Sequence, residues 1–220
     1  MKTYGKRKRV SKRSPRTYKR RRYGLTKKKF GKSGFLKVLR WSSAQTSNCH
    51  IEIGGNDLVP STDGTTNFSL ANVNGFGELV SLFDNYRIVK ILYRWVTWRN
   101  SDQANNSSVK GIYPRVCWCH DFNDSSIITR NAIYQRANMK EVYLGDNYQK
   151  TRWYSLNPAA LVQMYESATA TAYQPKWRQW MDTSDSAAPH YGIKYNIDNN
   201  YGGMVVRLEA KMVIECKGIS

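Results

Sequence analysis

The sequence has 220 residues and a net charge of +19, from 35 Lys and Arg against 16 Asp and Glu. No apolar run approaches the roughly 20 residues that a bilayer-spanning helix needs, so we expect no membrane insertion. Residues 1–40 hold 18 of the basic residues and no acid, so residues 41–220 carry a charge of only +1.

The first segment, residues 1–34, combines dense positive charge with glycine and serine and has few large apolar side chains. Such a segment cannot bury enough apolar surface to offset the entropy lost on ordering. We therefore predict a disordered basic N-terminal arm, which orders only when a polyanion neutralises it. The remaining residues, 35–220, are long enough for one domain of ordinary size.

The domain begins with two short alternating segments, Phe35–Trp41 and Cys49–Ile53, which predict strands. Residues 56–78 contain several turn dipeptides and are interpreted as a loop. The longest predicted strand is Tyr86–Arg99, which is rich in β-branched and aromatic residues. Both of its faces mix polar and apolar residues, which indicates a strand covered on both sides, partly by a neighbouring subunit.

A polar loop, residues 100–110, precedes the predicted strand Ile112–Cys119. Residues Ser125–Arg136 form the best helix candidate, with Asp124 or Ser125 as N-cap. Two short strands are predicted within 140–156, followed by a long connection over 158–174 with a helical turn at 159–165. The strands Lys176–Met181, His190–Ile197 and Met204–Cys216 complete the set.

These elements amount to about eight strands with long loops and few helices. The pattern predicts an all-β fold, a single eight-stranded antiparallel jelly roll over residues 35–220. An immunoglobulin-like sandwich fits less well because its usual size is about 100 residues.

Chemistry-bearing residues are sparse in the sequence. The three histidines stand outside any catalytic motif, so no enzyme activity is expected. Cys117, Cys119 and His120 have no second Cys or His pair nearby in sequence, so a tetrahedral zinc site is not predicted. The N-terminus lacks the apolar stretch of a secretory signal, so the four cysteines are expected to be buried free thiols in a reducing compartment. No cofactor is implied.

One stretch carries a resemblance to a known family. Phe83–Ile91, with the sequence FDNYRIVKI, resembles the start of a core strand in capsid proteins of circoviruses and related small circular single-stranded DNA viruses. The basic arm before one jelly roll, the Trp-rich segment before HYGIK at residues 190–194, and the long last strand match the layout of that family.

The resemblance implies a viral coat protein that self-assembles into an icosahedral T=1 shell of sixty copies and packages single-stranded circular DNA. Phosphate binding by Lys and Arg releases condensed counterions and needs no base sequence. The interleaved tyrosines of the arm suit stacking on unpaired bases. The predicted nucleic-acid-binding residues are Lys6, Arg7, Lys8, Arg9, Lys12, Arg13, Arg16, Lys19, Arg20, Arg21, Arg22, Lys27, Lys28, Lys29, Lys32, Lys37 and Arg40.

The clusters Lys6–Arg9 and Lys19–Arg22 also have the composition of nuclear-import signals. They predict nuclear import receptors as partners, and a protein that is in the host nucleus during assembly and then in the virion. The sequence identifies no host attachment factor.

Two alternatives remain open from the residues alone. A basic arm on a jelly roll serves the coat protein of a small RNA virus or satellite virus equally well. A cellular histone-like or ribosomal nucleic-acid-binding protein is the other alternative, although such a protein usually carries basic patches on its folded domain as well.

Overall fold

The computed structural model describes residues 36–41, 50–54, 61–99, 113–145, 149–166, 171–201 and 204–218. These residues contain two short α-helices, α1 (Phe76–Leu82) and α2 (Arg130–Tyr134), and two 3-10 helices of three residues each, Leu70–Asn72 and Thr183–Asp185. The same residues form twelve strands: β1 (Leu36–Trp41), β2 (His50–Gly54), β3 (Thr62–Phe68), β4 (Asn85–Arg99), β5 (Arg115–His120), β6 (Lys140–Tyr143), β7 (Tyr154–Leu156), β8 (Ala159–Glu166), β9 (Thr171–Trp177), β10 (Met181–Asp182), β11 (His190–Asp198) and β12 (Met204–Lys217).

The strands form two antiparallel sheets. In sheet 1, the long strands β12 and β4 pair with each other. The strands β1 and β2 lie one after the other along the second edge of β12. The strands β7 and β10 lie one after the other along the second edge of β4. In sheet 2, β11 lies between β3 on one edge and β5 and β8 on the other, and β6 and β9 follow outside.

Strand pairing is nested along the chain. The first strands β1 and β2 pair with the last strand β12, β3 pairs with β11, β4 with β7, and β5 with β6. A chain wound in this order forms a jelly roll, which confirms the predicted fold class. Each sheet is four strands wide, so the two sheets have eight strand positions. Four of these positions are each occupied by two shorter strands, and the described residues therefore form twelve strands rather than eight.

The core lies between the two sheets. Trp95 of β4 packs against Trp118 of β5, with ring centroids 5.9 Å apart, and against Tyr195 of β11 at 5.4 Å. On β12 the even-numbered residues from Met204 to Cys216 are buried, while most odd-numbered ones are only partly buried. Their alternation shows that the odd-numbered residues lie on the outer face of sheet 1.

A β-bulge explains why neither face of β4 is cleanly apolar in sequence. Val213 of β12 pairs with Lys90, whereas the next residue, Ile214, pairs with Ile88, so Val89 is the extra residue. The bulge reverses which parity of β4 faces the core. Ile88 is therefore buried before the bulge, and Ile91 is buried after it.

The predicted helix over Ser125–Arg136 is too long. The helix α2 begins only after Thr129, whose hydroxyl accepts a hydrogen bond from the Ala132 amide. Asp124 does not cap this helix, because its carboxylate instead accepts hydrogen bonds from Ser126 and from the Lys194 ammonium. The competing side-chain interaction keeps the preceding segment out of the helix.

Two predictions of irregular structure are wrong. Residues 159–166 and 171–177 form the hairpin β8–β9 rather than a connection with a helical turn, because Ala159 and Ala160 pair with β11. Residues 56–78 contain β3 and the start of α1. The polar strand β3 includes Gly64, whose cross-strand partner is Tyr195. A Cβ atom at Gly64 would overlap the Tyr195 ring, so the close approach requires glycine.

Candidate nucleic-acid interface

The outer face of sheet 1, here called the basic face, carries an excess of positive charge. Strand parity and register place four acids on it within the described residues: Glu52, Asp182, Glu209 and Glu215. The same criteria place eight basic residues on it within the described part of the chain: Lys37, Arg87, Lys90, Arg94, Lys150, Arg207, Lys211 and Lys217.

Cross-strand ion pairs organise this face. Arg87 donates to the Glu215 carboxylate, with Nε to Oε2 2.9 Å, and Lys37 Nζ lies 3.1 Å from Oε1 of the same residue. Burial alone would raise the pKa of Glu215, but the hydrogen bonds from Arg87 and Lys37 outweigh it and lower the pKa. Arg94 pairs in the same way with Glu209, with Nη2 to Oε2 2.6 Å.

Two tryptophans lie over these ion pairs. The Trp153 ring centroid is 4.5 Å from the Arg94 guanidinium carbon and 4.9 Å from the Lys211 ammonium. The Trp180 ring centroid is 4.4 Å from the Arg87 guanidinium carbon and 4.5 Å from the ammonium of Lys217. Each indole is therefore held by two cations through cation–π contact.

The outer face of sheet 2 differs from the basic face in its charge balance. There Arg115 and Arg130 both pair with Asp198, at 2.6 and 2.5 Å. The ammonium of Lys194, which is 1% exposed, lies 3.2 Å from Asp121 and 2.5 Å from Asp124. The hydrogen bond from Lys194 lowers the pKa of Asp124 to about 2.

Two of the predicted nucleic-acid-binding residues lie in the described part of the chain. Lys37 lies on the basic face, and its side chain is 51% exposed beside Glu215. Arg40 lies on the opposite face of β1, where its guanidinium is 3.5 Å from Glu78 of α1. The other predicted residues, Lys6 to Lys32, lie outside the described residues, as does the whole segment 1–34 that was predicted to form the arm.

Most residues of the basic face were missed by the sequence reasoning. The last strand shows the signal, because Arg207, Glu209, Lys211, Glu215 and Lys217 are all odd-numbered. A charged set on one parity indicates an outer face. The positions of Trp153 and Trp180 above that face depend on how β7 and β10 pair with β4, which no local pattern reveals.

Three of the four cysteines lie in the described part of the chain and are buried, whereas Cys49 lies outside the described residues. Cys117, Cys119 and Cys216 are buried free thiols, as predicted, and burial raises the pKa of Cys117 and of Cys216 to about 11. Cys117 and Cys119 pack under α2 beside Ile133, whereas the His120 ring lies against Tyr93. Within the described ranges no three His, Cys, Asp or Glu side chains converge as a metal site would require.

Comparison with known proteins identifies the family. The family model of the circovirus capsid protein matches residues 6–220. The chain belongs to this family. It is a viral capsid protein, a structural component of the virion and not an enzyme. The comparison with curated protein sequences gives no match.

One solved capsid structure shares the fold of this chain, and two further structures match it with lower TM-scores. The BFDV capsid protein solved as a 60-mer has a TM-score of 0.57 and 12% sequence identity, over 84% of this chain and 94% of that one. Its decameric form has a TM-score of 0.48 at 12% identity, over 83% and 98% of the two chains. The Cucumber Necrosis Virus structure has a TM-score of 0.47 and 12% identity, over 86% of this chain and 58% of that one.

None of the helices in the described part of the capsid protein has the length and apolar character needed to cross a bilayer.

Proposed function

We propose that this capsid protein assembles into a sixty-subunit icosahedral shell and packages circular single-stranded DNA through residues 1–40. The observation that carries the proposal is the distribution of charge. Residues 1–40 hold 18 basic residues and no acid, and they enter the fold through β1 at the edge of sheet 1. The polycationic segment is therefore attached to the sheet whose outer face is itself basic.

The shell size is supported by the shared fold with a capsid protein that was solved as a 60-mer. A closed shell needs heterologous contacts that close by symmetry. Exposed apolar side chains supply surface for such contacts, among them Ile127, Tyr143, Met164 and Tyr173, each more than half exposed. Aromatic residues and methionine are enriched at protein interfaces.

The amount of charge fits a small genome. Sixty copies of residues 1–40, with 18 basic residues each, carry roughly 1,100 positive charges. By counterion release, this charge neutralises a large share of a single strand of about one to two kilobases. The interaction requires phosphate groups and no particular base sequence, so the arm binds the phosphate backbone of the genome.

The decisive experiment compares the full chain with a variant lacking residues 1–34, both purified at high salt. We expect uniform spherical particles by electron microscopy and, for the full chain, an absorbance ratio at 260 and 280 nm that indicates nucleic acid. The truncated chain should contain far less nucleic acid. Isolated monomers bound along nucleic acid, without particles, would contradict the proposed assembly into a shell.

The type of genome is tested on particles from infected cells, after removal of external nucleic acid. DNA packaging predicts that the extracted genome is degraded by DNase and resists RNase. The opposite result would support the alternative coat protein of an RNA virus, because the phosphate interaction is the same for both polymers.

We also propose that Lys6–Arg9 and Lys19–Arg22 bind nuclear import receptors, which brings the protein to the nucleus for assembly. Both clusters have the short basic composition of import signals. Residues 1–34 fused to a cytosolic reporter should concentrate it in the nucleus, and alanine substitution of both clusters should release it. A reporter that stays diffuse with the native segment would contradict the proposal.

A further inference from the structure

The basic face contains a structural repeat. On β4, Tyr86-Arg87 and Tyr93-Arg94 each place the tyrosine in the core and the arginine on the basic face. Trp180 directly precedes β10, whose Met181 pairs with Tyr86. Trp153 directly precedes β7, whose Tyr154 pairs with Tyr93. The same arrangement of tryptophan, edge strand and arginine therefore occurs twice.

The last strand completes the repeat. Glu209 and Lys211 accompany Arg94 and Trp153, and Glu215 and Lys217 accompany Arg87 and Trp180. The two copies are six residues apart on β12 but seven apart on β4. The bulge at Val89 absorbs the difference, so the bulge keeps the two copies in the same cross-strand register.

We propose that Trp153 and Trp180, with their flanking cations, are two binding sites for unpaired bases of a single-stranded nucleic acid. The inference rests on the proposed packaging function, and it names a second contact surface on the folded domain. Bases stack on aromatic rings without regard to sequence, and cations beside the ring bind the backbone.

The contacts within each site suit this role. Arg94 is paired with Glu209, and Arg87 with Glu215, so in each site the arginine is held in place beneath the indole by an ion pair. The lysine beside each indole, Lys211 or Lys217, leaves the site with net positive charge. Trp153 is 37% exposed, which leaves part of its ring open to a ligand.

The spacing of the sites suits one continuous strand. Six residues of β12 span about 20 Å at roughly 3.4 Å per residue. That distance corresponds to about six stacked nucleotides, and to fewer in an extended strand. One oligonucleotide of about 12 nucleotides is therefore long enough to reach both sites, and binding at the first site favours binding at the second.

The experiment measures binding of a dye-labelled oligonucleotide of about 12 thymidines to the full chain by fluorescence anisotropy over a range of salt concentrations. Variants Trp153→Ala, Trp180→Ala and the double variant are compared with Trp153→Phe and Trp180→Phe. The matched control is Trp177→Ala, because Trp177 is 50% exposed but lies on β9 of sheet 2. Intrinsic fluorescence gives a second readout, since residues 1–40 contain no tryptophan.

Each alanine substitution should weaken binding about tenfold at a given salt concentration. The salt dependence should not change, because no phosphate-binding charge is removed. The phenylalanine variants and the Trp177 control should bind within about threefold of the wild type, and the double alanine variant should lose most of the quenching caused by the oligonucleotide.

Three other results are informative. If the double alanine variant binds and is quenched like the wild type, the inference is wrong and packaging by the arm is unaffected. If the Trp177 control weakens binding as much as the others, the effect is not specific to these sites and the inference is again wrong. If the full wild-type chain does not bind the oligonucleotide at all, the proposed packaging function itself fails.

Discussion

The buried hydrogen-bond chain between the sheets predicts a loss of stability in mild acid. Trp118 Nε1 donates to the Tyr93 hydroxyl over 2.8 Å, and that hydroxyl is 2.7 Å from Nε2 of His120. Burial, with a smaller contribution from the charge of Lys140, lowers the pKa of His120 to about 4. At neutral pH the imidazole is therefore neutral, and it accepts a hydrogen bond from Tyr93.

The size of the effect follows from the difference between the folded and unfolded pKa values. The pKa of His120 is 6.5 in the unfolded chain and about 4 in the folded chain, so protonation favours unfolding. Stability is complete above the unfolded pKa and falls as the pH decreases from 6.5 towards 4. At about 1.4 kcal/mol per pKa unit, about 2 kcal/mol is lost near pH 5 and about 3 kcal/mol once the pH is below 4.

Urea denaturation of the unassembled chain, followed by fluorescence between pH 8 and 5, measures this loss. The variant His120→Gln keeps an acceptor for Tyr93 but cannot titrate, so its stability should depend much less on pH in this range. His190, whose pKa is also lowered by burial, accounts for part of the remaining slope. Parallel curves for the wild type and His120→Gln would refute the reasoning.

Two further predictions concern stability near neutral pH. Lys194→Met leaves the buried carboxylate of Asp121 without one of its cations and should cost about 3 kcal/mol of unfolding free energy by urea denaturation. The control Lys90→Met, at an exposed position, should change the unfolding free energy by no more than about 0.5 kcal/mol. Gly64→Ala should cost about 1–3 kcal/mol because the new methyl group overlaps Tyr195, and the cost should shrink in a Tyr195→Ala background; an equal cost there would contradict the overlap.

Strands whose apolar residues are dense and β-branched could be predicted from the sequence. The two central strands of sheet 1, β4 and β12, lie where the sequence indicated. Burial of one face gives β12 a long alternating pattern, whereas β4, whose alternation is broken by the bulge, is recognised by its β-branched and aromatic residues. The strand β3 was missed because it lies at the edge of sheet 2 and is polar. Its Gly64 was interpreted as part of a turn, although the glycine is needed for contact with Tyr195.

The hairpin β8–β9 shows a different limit. Residues 159–162 have the sequence AALV and show no alternation, and the preference of alanine and leucine for a helix favours the helical turn that was predicted there. Pairing of Ala159 and Ala160 with β11 instead decides their conformation, and that contact joins residues about 30 positions apart. The same reason explains α2, whose predicted N-cap Asp124 is taken by Lys194 from β11.

The net charge of residues 41–220 does not show how charge is distributed between the surfaces of the folded domain. Residues 41–220 are close to neutral, which suggested that nucleic-acid binding belongs to the arm alone. The fold separates these charges, since the outer face of sheet 2 pairs its cations with Asp121, Asp124 and Asp198, whereas the basic face holds eight basic residues against four acids within the described residues. A phosphate backbone interacts with the local surface potential and not with the net charge of a domain. A nearly neutral domain is therefore compatible with a second nucleic-acid contact, provided that sheet 1 is the side that faces the genome.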